Sequence, residues 1–430
     1  MMREITRREA LSILGVTAAG LGAATLGLPS IARGAAGRVV VVGGGFGGAT
    51  AARFVKSGNP AIEVTLIEPA KRFYTCPFTN LYLGGLRDFE SLGHGYGDLE
   101  RLGVKVVHEM AEDVDPAKRE VKLRGGQTLG YDRLVLSPGI DFRWGAIEGY
   151  DEAASEKVPH AWKAGPQTKL LKAQLEAMDD GGLFVMAIPA DPFRCPPGPY
   201  ERASMIAHYL QTKKPRSKIL LLDAKDKFSK QPLFEEGWKA NYGDRIEWVP
   251  QSKDGKVVRV DAAKREVETE FGAKHEAAVL NVVPPQRAGA IAERAQVTDA
   301  SGWVPVEPQS FASKQDANIY VVGDAAVAAP MPKSGFCANV QAKLAAASIV
   351  ASLAGQPEPS ARWANTCYSL IAPEYGISVA GVYHVADGQI AEVAGAGGVS
   401  PLGASKEFRR KEAEYGTGWY EAICKEIWGA

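Results

Sequence analysis

Ten residues, Val39-Val-Val-Val-Gly43-Gly-Gly45-Phe-Gly47-Gly48, constrain this chain more than any other stretch. Four consecutive valines read as a strand buried on both faces. Glycines then open a turn, and Ala49, Ala51, Ala52, Phe54 and Val55 continue it as a helix. Glu63-Val-Thr-Leu-Ile-Glu68 reads as the next strand. Its terminal acid follows the loop by about twenty residues, the spacing of a carboxylate that grips a ribose hydroxyl. Gly43 permits the tight turn, Gly45 lets the backbone approach a pyrophosphate, and Gly48 lets helix and strand pack closely; Phe46 and Gly47 complete the loop. A lone G-x-G-x-x-G is a weak signal. Strand, loop, helix, strand and acid in this order describe a dinucleotide site.

Upstream, Thr6-Arg7-Arg8-Glu9 precedes an apolar run from Leu11 to Leu28 that Gly15, Gly20, Gly22 and Gly27 interrupt. The run is shorter than the roughly 20 residues that span a bilayer. Paired arginines, a broken apolar run and small residues ending at Ala36 read as a twin-arginine export leader over residues 1–36. A retained membrane anchor is the alternative. The expectation is a periplasmic protein that starts near Ala36 or Gly37, with no later segment apolar enough to cross a membrane. Twin-arginine export carries folded proteins, and the periplasm offers no dependable pool of free NAD, so the dinucleotide is expected to be a resident FAD.

With 430 residues and 46% of them hydrophobic, the chain can bury two or three cores. Lys+Arg and Asp+Glu are both 50, which leaves no basic field for nucleic acid. Five cysteines, Cys76, Cys195, Cys337, Cys367 and Cys424, are few for a disulfide scaffold, and their odd number leaves at least one outside any pairing. No C-x-x-C-H is present, so the chain attaches no c-type haem of its own, and the six histidines do not cluster as metal ligands.

Two later segments return to the dinucleotide. Tyr131-Asp-Arg-Leu-Val-Leu-Ser137-Pro138-Gly139 reads as a strand and turn closing the first unit, and Asn318-Ile-Tyr-Val-Val-Gly323-Asp324 as a strand whose acid can hold the ribityl chain. An ordinary strand-end turn is the plainer reading of Gly323-Asp324. Lys333-Ser334-Gly335 then opens an alanine-rich helix whose amides can face the anionic edge of a flavin. Between these segments Gly182–Pro189 and Lys218–Asp223 read as strands of a second α/β unit. Where an NAD-binding unit would carry glycines, this one has Phe193-Arg-Cys195-Pro-Pro-Gly-Pro-Tyr-Glu201, and prolines have no amide hydrogen with which to cradle phosphate.

Those segments, with Tyr74-Thr-Cys76, Pro284-Pro-Gln-Arg-Ala-Gly289, Pro330-Met-Pro-Lys-Ser-Gly335 and Asn365-Thr-Cys367-Tyr-Ser, closely resemble the flavoprotein subunit of flavocytochrome c sulfide dehydrogenase and the related flavoprotein of the periplasmic sulfur-oxidation system. The resemblance covers essentially the whole mature chain. It implies an α/β fold with two Rossmann-like domains of the FAD/NAD-linked disulfide reductase type and a C-terminal α+β domain. The expected boundaries are 37–150 with 286–355 for the FAD domain, 151–285 for the second domain without an NAD site, and 356–430 for the C-terminal interface domain, including a terminal helix over 419–428.

The resemblance also implies roles. Cys76 would carry the flavin through a thioether; a buried free thiol is the alternative. Cys195 and Cys367 would form a redox-active disulfide, Cys367 facing the flavin; a purely structural disulfide is the alternative. Glu201 would serve as acid/base or simply as an acid in the first turn of a helix, and Lys333 would polarise the flavin or cap the surface. Cys337 and Cys424 are expected as buried thiols, with a mutual disulfide as the alternative, and Trp419 as core, with a place near the flavin or an electron exit as the alternative. The implied reaction is oxidation of sulfide to sulfane sulfur or polysulfide, with electrons passed singly to a separate c-type cytochrome. A quinone-linked sulfide oxidase, a flavin-bearing auxiliary subunit of a sulfur-oxidising complex and an NADH-dependent reductase are the competing readings.

Overall fold

The computed structural model describes residues 36–429; the expected leader lies outside the described residues except for Ala36. A five-stranded parallel sheet runs in the order Ile319–Val321, Arg133–Leu136, Arg38–Val42, Glu63–Ile67, Lys105–Val107. The valine run is its central strand, with Val39 and Val41 fully buried, so its continuous apolar character follows from burial of both faces. Its outer strand Ile319–Val321 comes from nearly 280 residues further along the chain than the valine strand. The helix Phe46–Gly58 starts inside the glycine motif and packs on Gly335–Leu353.

A second parallel sheet, Ile246–Val249, Lys218–Asp223, Leu183–Ile188, Val279–Val282, forms the other α/β unit. Its strand Leu183–Ile188 ends at the proline-rich loop, and the chain then enters the helix Gly198–Lys213. The C-terminal region is an antiparallel hairpin, Arg362–Ala372 with Tyr375–Ala386, extended by Gln389–Glu392 and Gly398–Val399. Two parallel α/β sheets followed by an antiparallel hairpin agree with the expected α/β class.

Two expectations change. The terminal helix is Lys406–Trp428, more than twice the length expected. Ser405 caps it by accepting from the Phe408 N–H, and Gly416 and Gly418 lie inside it. A side chain at Gly416 would meet Tyr368 Cβ at 3.2 Å, so the glycine is there for close packing on the hairpin. Among the described residues one helix, Gly335–Leu353, is long and apolar enough to cross a membrane, contrary to the sequence reading. Ala342, Ala345 and Ile349 on it are fully buried against the core, which accounts for its composition.

Two glycines in the first motif are fixed by space. Gly43 has φ +98° and a Cβ there would overlap the Ser137 carbonyl oxygen; at Gly48 it would overlap the Gly43 carbonyl oxygen. Gly48→Ala is therefore expected to push the loop open at a cost of about 1–3 kcal/mol. Purified protein should melt earlier and carry less than stoichiometric FAD, checked by thermal unfolding and the flavin-to-protein absorbance ratio.

Candidate active site

The ends of the parallel strands and the C-terminal hairpin enclose a cavity of about 860 Å³. Gly43, Gly45, Phe46 and Gly47 line one end with Glu68, and Ser137, Pro138 and Gly139 the floor. Cys76, Gly323, Asp324, Lys333, Ser334 and Gly335 line it as well, Gly335 against the Phe46 ring. Cys195, Glu201 and Cys367 complete it. Of the expected site residues only Gly48 stands behind the wall, where it packs the loop.

The glycine end fits a dinucleotide. Gly45 is pressed near Phe73, and a Cβ would lie 3.1 Å from that ring, so the loop can present only backbone to the cavity. Glu68 sits beside it, one carboxylate oxygen accepting from Gly44 N at 2.8 Å and the other from Ala70 N at 2.9 Å. Ser334 caps the helix Gly335–Leu353 by accepting from Cys337 N at 3.1 Å, and that helix N-terminus faces the cavity. Trp419, for which the core and a place near the flavin are the two expectations, lines the cavity and stacks on Phe336 with ring centroids 6.0 Å apart. Its buried indole N–H has no partner within the protein, a donor available to a bound group.

The proline-rich loop delivers the sulfur chemistry. Cys195 adopts φ +58°, a left-handed turn. Its N–H donates to the Lys333 carbonyl at 2.8 Å and its carbonyl accepts from Gly198 N at 2.8 Å, which fixes the turn from both sides. The preceding residue reaches across: Arg194 Nε donates to Asp324 Oδ2 at 2.6 Å, and Arg194 Nη1 lies 3.5 Å from Cys76 Sγ. Asp324 is thus shared between this arginine and its expected place beside a cofactor. Lys333 turns its ammonium onto the carbonyls of Asp324 (2.6 Å) and Ala326 (2.9 Å) and over the Trp303 ring, tying down this part of the wall.

All five cysteines are free thiols here, so no bond joins Cys195 to Cys367. The two nevertheless line the same cavity, and each thiol is pushed up by burial, Cys195 further by the charge of Cys367 and Glu201. Cys367 also lines a second cavity of about 900 Å³ that opens beyond Pro192 and Pro330. Cys337 and Cys424 are buried on separate helices, each thiol pushed up to about 12 by burial.

Glu201 stands in the first turn of Gly198–Lys213, and burial pushes its carboxyl up to about 7, against the pull of Lys230, the Leu370 N–H and Arg202. Two of these neighbours escaped sequence reasoning. Arg202 is buried, donating to the carbonyls of His160 and Ala161 and to Asn281 Oδ1. Lys230 donates to the Cys367 carbonyl. Pro232 signals a helix start, but nothing local says that the residue before that helix turns inward.

Comparison with known proteins agrees with this geometry. Residues 168–284 match the model for the sulfide dehydrogenase (flavocytochrome c) flavoprotein chain, central region, and 359–428 the flavocytochrome c sulphide dehydrogenase flavin-binding region. Residues 37–174 match pyridine nucleotide-disulphide oxidoreductase. A sulfide dehydrogenase (flavocytochrome c) flavoprotein chain of Chlorobaculum thiosulfatiphilum is 60% identical over 43 residues, 90% of that sequence and 10% of this one. The chain belongs to the flavocytochrome c sulfide dehydrogenase flavoprotein family. Membership of this sulfide dehydrogenase family places it among FAD-dependent, sulfide-oxidising oxidoreductases. Mitochondrial sulfide:quinone oxidoreductase of Mus musculus is 24% identical over 328 residues, covering 73% of this chain and 68% of that one. The solved sulfide:quinone oxidoreductase of Aquifex aeolicus shares the fold, with a TM-score of 0.67 and 20% identity over 90% of this chain and 92% of that one.

The raised Glu201 carboxyl has a consequence for this flavoprotein. Because its folded value, about 7, lies above the ordinary 4.5, the folded state holds a proton that the unfolded chain has lost between those pH values. Glu201 therefore costs stability progressively as pH rises from 4.5 to 7. Glu201→Gln, which stays neutral, is expected to match the wild type near pH 4.5 and to melt later above pH 7. Melting curves across pH 4–8 check the sign.

Proposed function

We propose that this chain is a periplasmic sulfide:cytochrome c oxidoreductase in which Cys76 holds FAD covalently and Cys195 and Cys367 form the disulfide that receives sulfide. The observation that carries the reading is the convergence of Cys76, Cys195, Cys367 and Glu201 on the same cavity as the glycine loop. FAD, when bound, accepts two electrons and releases them singly. The glycine loop, Glu68, Ser137, Pro138, Gly139 and Asp324 would bind it, with Lys333, Ser334 and Gly335 at its anionic edge.

Hydrosulfide attacks the Cys195 sulfur; a new S–S bond forms, the Cys195–Cys367 bond breaks, and Cys367 leaves as a thiolate. A second hydrosulfide takes the outer sulfur as hydrogen disulfide, leaving Cys195 as a thiolate. Hydrogen disulfide gives up one proton beside Glu201, whose carboxyl near 7 suits that exchange. The two thiolates re-form the disulfide by giving up two electrons, which a bound FAD would accept. The sum is two HS⁻ giving HSS⁻, H⁺ and two electrons. With no C-x-x-C-H in the chain, a separate c-type cytochrome takes these electrons. Export fits Arg7 and Arg8 ahead of a broken apolar run.

Transfer to a quinone is the second reading, favoured by the likeness to the murine sulfide:quinone oxidoreductase. Sulfide-dependent reduction of horse-heart-type cytochrome c, run beside a short-chain ubiquinone, separates the two: cytochrome should be reduced and quinone ignored, and the reverse preference overturns the acceptor. Cys195→Ser and Cys367→Ser should each slow sulfide-driven flavin reduction by at least about a hundredfold while keeping their FAD. Acid precipitation should give a yellow pellet from the wild type and a colourless one from Cys76→Ala; wild-type FAD left in the supernatant sinks the thioether.

A further inference from the structure

Lys230 is 8% exposed, a rare place for an ammonium. Among the described residues it makes no ion pair with a carboxylate within 4.0 Å. Its Nζ donates to the Cys367 carbonyl at 2.8 Å and to Ser369 Oγ at 2.9 Å, both on the strand Arg362–Ala372. Ser369 is itself buried. An ammonium has three protons to give, and these two bonds park it against the residue that carries the Cys367 sulfur. Lys230 reaches this place from φ +61°, a left-handed conformation that is uncommon for a residue with a side chain, at the start of the helix Gln231–Tyr242. A lysine tethered only for packing needs no burial of its charge, and transferring an unpaired ammonium out of water is costly.

The charge has a counterpart when Glu201 or one of the cavity sulfurs is ionised. Lys230 acts electrostatically on three groups of the cavity, Cys195, Glu201 and Cys367, and on Cys367 as a hydrogen-bond partner as well. The other charged or titratable groups facing these sulfurs are Arg202, on the helix carrying Glu201, Tyr383, on the strand paired with that of Cys367, and Cys76 and Cys337. Arg202 spends its guanidinium on backbone carbonyls and Asn281.

From this geometry we infer that Lys230 is a positioning residue that fixes the Cys367 strand and offsets the negative charge released on the Cys367 sulfur when the disulfide opens. The inference rests on the proposed disulfide. In the balanced step, hydrosulfide bonds to the Cys195 sulfur and the electron pair of the broken S–S bond leaves on Cys367; Lys230 supplies the fixed positive charge beside that leaving group and transfers no proton. A leaving thiolate that is better stabilised leaves faster.

The test uses the full-length holoenzyme. Non-reducing peptide mapping of the resting wild type comes first: absence of a Cys195–Cys367 cross-link defeats the disulfide itself. The protein is then reduced with dithiothreitol and the pH dependence of iodoacetamide alkylation is followed at Cys367 by mass spectrometry. Lys230→Gln should move the alkylation midpoint of Cys367 up by about one pH unit and slow sulfide-driven flavin reduction about tenfold. Lys230→Arg should restore most of both. A cross-link that is present with an alkylation midpoint unmoved in Lys230→Gln overturns the role of Lys230 and leaves the disulfide standing. Should Lys230→Gln fail to fold, the wild type decides: Cys367 must ionise at lower pH than Cys337, which no lysine touches, and equal midpoints overturn the inference.

Discussion

The ion pair between Arg194 and Asp324 is the contact on which the site depends. It joins the proline-rich loop of the second sheet to the last strand turn of the first, 130 residues apart. Both side chains are largely buried, at 18% and 13% exposure, and the Cys195 N–H to Lys333 carbonyl bond runs beside it. Stripping one partner from such a pair costs about 3–5 kcal/mol, because the other is left charged without water. With this clasp closed, the left-handed turn at Cys195 faces the cavity and Glu201 follows one helical turn later. With it open, the loop would be left with neutral hydrogen bonds, chiefly Cys195 N–H to the Lys333 carbonyl and Arg194 N–H to Gln286 Oε1, to hold the cysteine in place.

The clasp also encloses charge. Glu201, Lys230, Lys333, Arg194 and Arg202 stand within or around one desolvated space. Burial pushes Glu201 up to about 7 and Lys333 down to about 8. An acid and an ammonium whose ionisation is brought toward neutrality are suited to chemistry in which HS⁻ enters and a proton leaves. The thiols respond in the other direction: buried sulfur resists ionisation, so nearby positive charge sets how readily a thiolate forms. The C-terminal hairpin has a double task. It carries Cys367 to the cavity and supplies the carbonyl and hydroxyl that hold Lys230 there.

Much of the fold was legible because its signals are local. The valine run, the glycine spacing and the acid at Glu68 each report a strand, a turn and a strand end within thirty residues, and steric exclusion makes Gly43 and Gly48 hard to replace. The terminal helix is longer than expected, and Gly416 and Gly418 inside it are poor helix formers on propensity alone. At Gly416 the missing side chain makes room for Tyr368, which belongs to another element. Gly335–Leu353 was underrated in the sequence: by length and composition it could cross a membrane, and it packs instead on the helix Phe46–Gly58.

The sequence by itself determined the parts: a dinucleotide loop, an acid to grip it, a second unit whose prolines cannot cradle phosphate, and cysteines set in unusual motifs. These follow from rules that act within a few residues, such as glycine's tolerance of φ +98° and proline's missing donor. Only the tertiary structure decided that Cys76, Cys195 and Cys367, spread over almost 300 residues, share one cavity, and that Arg194, Arg202 and Lys230 surround it. Desolvation and charge depend on distance through space, and no spacing along the chain encodes which buried ammonium will face which sulfur.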